Sequence, residues 1–379
     1  MTDALLQKVR RIIDEGARDL VDRRIVFELV VLGVLAREHV LMIGPPGTGK
    51  SASVRAVAER FSGRHFEYLL GRFTEPAELF GALSIEALRE GRVEAVTEAM
   101  LPEANIAFLD EIFQGSTAIL NTLLGVLNER VYRRGAQRLD VPLWCCIAAS
   151  NALPDDPMLA AFADRFLMTT FVDPVAPDQI ETLLRSGWAF ETNPAPLDAD
   201  ASLTQDELTA LSARVNTVDL SAVVALYAHV INKLSVRGLR FSDRRIVRGQ
   251  KLIAGAAILA GREHASPADL WPIVYMIQDR SLQDQAKELL ADELQLAENA
   301  TLDCAAKQAA YGPAAYASDL VQTAQAHLVD KPQLRDDPGF EPWCIRAEGM
   351  IARIEAGFAE EARPETLELA RAALVAAIK

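Results

Sequence analysis

A glycine-rich stretch, GPPGTGKS, has the residue types and spacing that bind phosphate. It follows a short apolar run and opens a predicted helix, so its backbone N–H groups and the helix dipole both favour an anion. Lys50 is predicted to reach the β- and γ-phosphates of ATP, and Ser51 to offer its hydroxyl to Mg²⁺. The predicted nucleotide-binding residues of this loop are Gly44, Pro45, Pro46, Gly47, Thr48, Gly49, Lys50 and Ser51.

Two adjacent carboxylates, Asp110 and Glu111, end a second apolar run. Burying unpaired carboxylates is costly, so this strand end needs a positive partner. A parallel sheet would bring it beside the phosphate-binding loop. Asp110 is then predicted to bind the nucleotide's Mg²⁺, directly or through water, and Glu111 to polarise the water that attacks the γ-phosphate.

Polar residues at three further element boundaries could complete such a site. Asn151 ends the next apolar run, where it either hydrogen-bonds the γ-phosphate or the attacking water, or caps the helix near Asp155. Arginines occur in FADRF, Phe162–Phe166, and SDRR, Ser242–Arg245. They either stabilise transition-state charge, also from a neighbouring subunit, or form ordinary surface ion pairs.

The elements that must position these residues alternate between strands and helices. Strands are predicted at His39–Gly44, His65–Leu70, Asn105–Asp110, Leu143–Ser150 and Phe166–Val172. Helices are predicted at Ala4–Val21, Arg24–Arg37, Lys50–Phe61 and Ser116–Asn128. This alternation predicts an α/β fold with a mostly parallel sheet covered on both faces.

Only helical periodicity follows Val172–Gln179. A linker is predicted at Asn193–Leu203, then helices at Thr204–Val215, Leu220–Leu234, Asp243–Ala260 and Pro267–Tyr275. The last segment, Ser281–Lys379, is helical except for Val329–Pro342. We therefore expect an α/β nucleotide-binding domain at 1–190, an all-α lid at 191–280 and a helical C-terminal extension at 281–379.

Composition narrows the function classes. The formal charge of −14 over 379 residues argues against nucleic-acid binding by the whole surface, although a local basic patch remains compatible with it. Four cysteines without a CxxC pair indicate buried thiols in a reducing compartment. The apolar stretch Ile25–Ala36 is shorter than the about 20 residues that span a bilayer. We expect a soluble, cytoplasmic protein with no membrane span.

Taken together, six stretches resemble the MoxR family of AAA+ ATPases, and within it the RavA-like branch. They are Gly44–Ser51, Glu78–Leu83, Glu98–Gly135, Ala148–Asn151, Leu159–Phe166 and Phe241–Arg245. The resemblance covers about Ala4 to Arg280, and its central stretch is highly specific. It implies a P-loop parallel-sheet AAA+ core with an all-α lid, and hydrolysis of ATP with Mg²⁺.

The resemblance also implies roles for single residues. Asn151 would be sensor 1, Arg165 the arginine finger presented in trans, and Arg244 sensor 2, with Arg245 as its close competitor. With Glu111, these would be the catalytic residues. Related proteins form hexameric rings with ATP at each subunit interface, so a homo-oligomer is expected.

Two hairpins and the partner complete the expectations. Leu83–Leu101 resembles the family's insert in helix 2, and Tyr132–Pro142 its hairpin before sensor 1, whose arginines are either solvated or contact a substrate or neighbour. The implied function is a chaperone-like remodeller or maturation factor for a partner with a von Willebrand factor A domain. A nucleic-acid-dependent motor, a nucleotide-gated scaffold and a chelatase subunit stay as alternatives. The client, substrate threading and the role of 281–379 stay open.

Overall fold

The computed structural model describes residues 2–192, 202–332, 339–358 and 363–378. Within these residues the strands are β1 Val40–Ile43, β2 His65–Leu69, β3 Ile106–Asp110, β4 Val131–Arg134, β5 Gln137–Asp140, β6 Cys145–Ser150 and β7 Met168–Phe171. The first half of the helices comprises α1 Thr2–Ala17, α2 Arg24–Ala36, α3 Lys50–Ala58, α4 Pro76–Phe80, α5 Ile85–Arg89, α6 Thr117–Glu129, α7 Pro157–Ala163, α8 Ile180–Thr192 and α9 Gln205–Val215. The second half comprises α10 Val224–Val236, α11 Asp243–Leu259, α12 Pro272–Tyr275, α13 Arg280–Leu289, α14 Ala291–Leu294, α15 Asp303–Ala310, α16 Pro313–Val329, α17 Phe340–Gly357 and α18 Glu365–Ile378.

The central sheet is parallel throughout, in the order β2-β3-β6-β1-β7. All five predicted strands are confirmed, each within two residues of its predicted ends. The inner strands β1, β3 and β6 are buried on both faces, whereas the edge strand β2 has one exposed face. Successive side chains of a strand point to opposite faces of the sheet. Met42 joins the large hydrophobic core on one side, while its neighbours Leu41 and Ile43 join the core on the other. The predicted α/β class with a helical C-terminal half is confirmed.

Several helices after the sheet, among them α9, α11 and α12, pack on the large core. Helices α9 and α11 contact α2, which is buried along almost its whole length. The predicted helix Pro267–Tyr275 is wrong as one element. It is a short 3-10 turn at Pro267–Asp269 and the separate helix α12. Pro272 lacks a backbone N–H and is favoured at a helix start, so it begins the second piece.

The C-terminal helices divide between two cores. Side chains of α13 and α15, such as Ala286 and Ala305, belong to the large core. In contrast, α16, α17 and α18 enclose a separate cluster around Trp343 and Leu374. The three predicted domains stay a prediction. Of the predicted linker Asn193–Leu203, only Ser202 and Leu203 are among the described residues.

Predictions about smaller features have mixed outcomes. The hairpin at Tyr132–Pro142 is confirmed as the antiparallel pair β4–β5. In the segment Leu83–Leu101, Leu83 and Ala95 form an antiparallel bridge, and helix α5 lies between them.

The cysteines differ in exposure. Cys145 and Cys146 are buried, and burial raises the pKa of both thiols, but Cys304 and Cys344 are partly exposed. In the described part of the chain, no helix has the length and apolar character needed to cross a membrane.

Candidate functional site

The carboxyl ends of three adjacent strands build the site. Parallel strands end at the same edge of a sheet, and the order β3-β6-β1 places β6 in the middle. The phosphate-binding loop therefore follows β1, Asp110 and Glu111 follow β3, and Asn151 follows β6 between them. Residues separated by up to 107 positions in sequence meet here because of strand order.

The loop after β1 has the backbone of a phosphate cradle. Gly47 and Gly49 have φ values of 80° and 76°, which a side chain disfavours. A Cβ on Gly44 would lie 2.1 Å from the carbonyl oxygen of Val172, so only glycine fits there. At Gly47 no atom lies within 4 Å of such a Cβ, so the described residues leave open space at the loop tip.

Lys50 is buried and folds back onto its own loop. Its Nζ donates to the carbonyl oxygens of Gly44 at 2.5 Å and Pro45 at 2.9 Å. Burial lowers the pKa of Lys50, and the charges of Asp110 and Glu111 partly oppose this. The ammonium group is thus held by neutral acceptors that phosphate oxygens could replace.

A chain of hydrogen bonds joins the other predicted residues. Ser51 Oγ donates to Asp110 Oδ2 at 3.0 Å, and the amide of Glu111 donates to Asp110 Oδ1 at 3.0 Å. Asn151 Nδ2 donates to Glu111 Oε1 at 2.6 Å. The carboxylates are therefore held by Ser51, by backbone and by Asn151, with the Lys50 charge nearby, which answers where their positive partner lies.

The oxygen donors fit Mg²⁺ held together with phosphate. Mg²⁺ is commonly bound by one or two carboxylates, phosphate oxygens and water rather than by an all-protein cage. The Ser51–Asp110 pair offers such donors. Consistent with this, the described residues contain no group of three or more His, Cys, Asp and Glu side chains that could hold a metal alone.

Arg23 is a residue of this site that sequence reasoning missed. Its buried guanidinium donates to the carbonyl oxygen of Thr48 in the loop at 2.8 Å and to that of Asp173 after β7 at 2.7 Å. Burial is the main reason that its pKa is lowered. Arg23 ties the loop to the neighbouring strand, and no motif or spacing in the sequence indicates this contact.

The predicted arginines lie at the opposite edge of the sheet. Arg165 comes three residues before Met168, which pairs with Val40 at the start of β1, whereas the loop follows the end of β1. The four residues of β1 alone separate the two edges by about 13 Å, at roughly 3.3 Å per residue. The structure thus brings together Lys50, Ser51, Asp110, Glu111 and Asn151 but not Arg165.

Arg244 and Arg245 also lie at this amino edge, in different surroundings. Arg244 Nη1 donates to Asn128 Oδ1 at 2.9 Å, and its Nη2 lies 3.6 Å from Asp164 Oδ2. Arg245 is buried and donates to the carbonyl oxygens of Asp164, Phe166, Leu167 and Met276. Arg245 therefore fastens α11 to the start of β7, while Arg244 stays partly exposed.

Comparisons with known proteins agree with this architecture. Residues 7–213 match the family described as the MoxR domain in the MoxR-vWA-beta-propeller ternary systems. Two uncharacterized proteins of Methanocaldococcus jannaschii are 34% and 35% identical over 268 residues, covering 70% of this chain and 69% of each relative. The chaperone MoxR1 of Mycobacterium tuberculosis is 27% identical over 180 residues, 46% of this chain and 47% of that protein.

A solved structure supports the fold. A Cytophaga hutchinsonii protein, described as an ATPase of unverified activity, superposes with a TM-score of 0.61 at 17% identity. The superposition covers 79% of this chain and 96% of that protein. The parallel sheet, the loop after β1 and the helical second half place this chain in the AAA+ class. Within that class, the chain belongs to the MoxR family. The RavA-like branch stays a prediction.

Proposed function

We propose that this protein is a Mg²⁺-dependent ATPase that works as a ring motor of the MoxR type and remodels or matures a protein partner. The observation that carries the proposal is the meeting of the phosphate-binding loop with Asp110, Glu111 and Asn151 at one sheet edge. If these residues lay far apart, the proposal would rest only on the resemblance of the fold to AAA+ proteins.

The residues of this edge suit phosphoryl transfer to water. ATP with Mg²⁺ supplies the bond to be broken and the metal that neutralises phosphate charge. Lys50 would exchange its loop carbonyls for phosphate oxygens, and Ser51 and Asp110 would hold Mg²⁺. The Glu111 carboxylate would accept the proton of the attacking water. The Asn151 amide, which donates a hydrogen bond to Glu111, would orient both the carboxylate and the water.

The position of the arginines supports assembly of several copies. Arg165 and Arg244 lie at the amino edge, so they are remote from the phosphate loop of their own chain. An arginine that stabilises transition-state charge must then come from a neighbouring copy. We assign sensor 2 to Arg244 rather than Arg245, because the donors of Arg245 are occupied by carbonyl oxygens. A hexameric ring is the assembly that the family resemblance implies.

A protein partner is favoured over nucleic acid. The matched family is described from systems that pair MoxR with a von Willebrand factor A domain, and one relative is named a chaperone. A partner of that domain type and a cytoplasmic location are therefore part of the proposal. On the basic hairpin, Arg133 pairs with Glu129 at 3.0 Å and Arg134 donates to the Gly81 carbonyl. These bonds weaken the case for a nucleic-acid motor.

Phosphate release at increasing protein concentration tests the proposal. ATP turnover per chain should require Mg²⁺ and rise steeply with concentration, because each site needs a neighbour. Stimulation by a duplex or single-stranded oligonucleotide, lost at high salt, would instead favour the nucleic-acid motor. Tight ATP binding without turnover at any concentration would favour the nucleotide-gated scaffold.

A further inference from the structure

Two residues outside the predicted site contact the arginines of the amino edge. Asp164 Oδ2 lies 3.5 Å from Arg165 Nη1 and 3.6 Å from Arg244 Nη2. Asn128, at the end of α6, accepts a hydrogen bond from Arg244 Nη1 at 2.9 Å. The Asp164 carboxylate thus faces Arg165 and Arg244 with Oδ2, while its Oδ1 accepts a hydrogen bond from the buried Arg245 at 3.3 Å. One neutral amide, that of Asn128, fixes Arg244.

Both arginines keep unused donors. In the part of the chain that the structure describes, Arg165 Nε and Arg244 Nη2 are buried and have no hydrogen-bond acceptor. Each side chain also keeps part of its surface exposed, 26% for Arg165 and 34% for Arg244, so an anion carried by another chain can reach these two cations. Arg245 differs, because both of its terminal nitrogens donate to carbonyl oxygens.

We propose that Asp164 and Asn128 are positioning residues, which hold Arg165 and Arg244 as one pair of cations for the terminal phosphate of ATP on a neighbouring copy. The inference rests on the proposed function and goes beyond it, since neither residue belongs to a predicted motif role. The pair is held by one shared anion rather than by two separate ones.

The distances from Asp164 explain how Arg165 and Arg244 can be aligned and still be free to bind a phosphate. Two guanidinium groups repel each other, and a carboxylate between them offsets that repulsion. Asp164 Oδ2 lies 3.5 Å from Arg165 Nη1 and 3.6 Å from Arg244 Nη2, which is longer than the about 2.7–3.2 Å of a tight N–H···O hydrogen bond. Neither arginine is therefore tightly hydrogen-bonded to the carboxylate. Asn128 aligns Arg244 without neutralising it. The pair therefore keeps the net positive charge that a phosphate requires.

The Asn128→Ala variant tests the proposal, because Asn128 acts on Arg244 alone. We expect kcat to fall about 10-fold, with the affinity for ATP and the oligomeric state unchanged. The double variant with Arg244→Ala should be no slower than Arg244→Ala itself, since Asn128 acts only through that arginine. Thr122→Ala is the matched control on α6, because its hydroxyl bonds within that helix. It should leave kcat unchanged.

A second variant follows the shared carboxylate. Asp164→Asn keeps an oxygen for Arg245 but removes the charge between Arg165 and Arg244, so kcat should fall more than in Asn128→Ala. If this variant does not fold, the Asn128 series decides alone. Losses from Asn128→Ala and Arg244→Ala that multiply would overturn the inference and indicate a merely structural amide. A parent protein without ATP turnover would instead refute the proposed function, and the inference with it.

Discussion

Lys50 shows how the site is prepared at the scale of one residue. Its ammonium group is buried, and neutral carbonyl oxygens of its own loop are its hydrogen-bond acceptors. Replacing Lys50 with alanine should therefore abolish detectable nucleotide binding, because the loop loses its cation. Titration with a fluorescent ATP analogue measures this. Lys307→Ala, which removes an exposed lysine of α15, should bind as the parent does. Equal affinity of the Lys50 variant would remove the basis of the site.

Glu111 should separate binding from turnover. The variant Glu111→Gln keeps the side-chain oxygen that accepts from Asn151 but cannot accept a proton from water. We expect ATP affinity close to that of the parent and a fall in kcat of about 100-fold or more. Phosphate release and a binding titration on the same preparation check both parts. Hydrolysis at the parent rate would show that Glu111 is not the base.

At the scale of elements, Glu28 joins α2 to α15. It is fully buried, and its carboxylate accepts the backbone N–H groups of Cys304 and Ala305 in the first turn of α15. Burial raises the pKa of Glu28 to about 7, although the Ala305 N–H and Arg24 oppose this rise. The helix junction therefore contains a carboxylate that ionises near neutral pH.

The sign of the pH effect follows from that raised pKa. The pKa of Glu28 is about 7 in the folded state, above the ordinary value of 4.5 that it has in the unfolded chain. The stability that protonated Glu28 contributes is therefore complete below about pH 4.5 and is lost as the pH rises through 7. As the pH rises from about 4.5 to 7, the parent should lose about 3 kcal/mol of unfolding free energy relative to the Glu28→Gln variant, which has no carboxylate to ionise. Urea unfolding at several pH values measures the difference. Parallel curves for the two proteins would contradict it; Glu181→Gln, on exposed α8, is the control.

At the scale of the whole molecule, the proposed assembly assigns complementary halves of one site to the two edges of the sheet. The phosphate loop lies at the carboxyl edge and Arg165 at the amino edge, so a copy with only one intact half can still serve its neighbour. Lys50→Ala and Arg165→Ala proteins should each be inactive alone. Mixed together, they should regain ATP turnover, because one copy supplies the loop and the other the arginine.

The control for this mixture is the double variant. Lys50→Ala/Arg165→Ala mixed with Arg165→Ala should regain nothing, since no copy in that mixture carries the arginine. Phosphate release from both mixtures at equal total protein makes the comparison. Full activity of Arg165→Ala as an isolated monomer would exclude action in trans.

Sequence reasoning placed the strands to within two residues, because period and apolar runs are local properties of the chain. It also predicted the phosphate loop and the carboxylate pair, whose chemistry depends on neighbouring residues, and these residues stay a prediction. It did not find Arg23, Asn128 or Asp164. Arg23 contacts a residue 150 positions away and Asn128 one that is 116 positions away, while Asp164 joins its neighbour Arg165 to Arg244 of a distant helix. No local spacing encodes such long-range contacts.

The sequence by itself determined the MoxR family resemblance and predicted the class of chemistry, since GPPGTGKS and the Asp110–Glu111 pair need only a strand before each of them. Only the tertiary structure decided which residues meet. Strand order brought Asn151 to Glu111, strand register separated Arg165 from the phosphate loop, and packing distinguished Arg245 from Arg244. The physical reason is that burial and strand pairing depend on the whole chain, whereas a motif reports only the residues next to it.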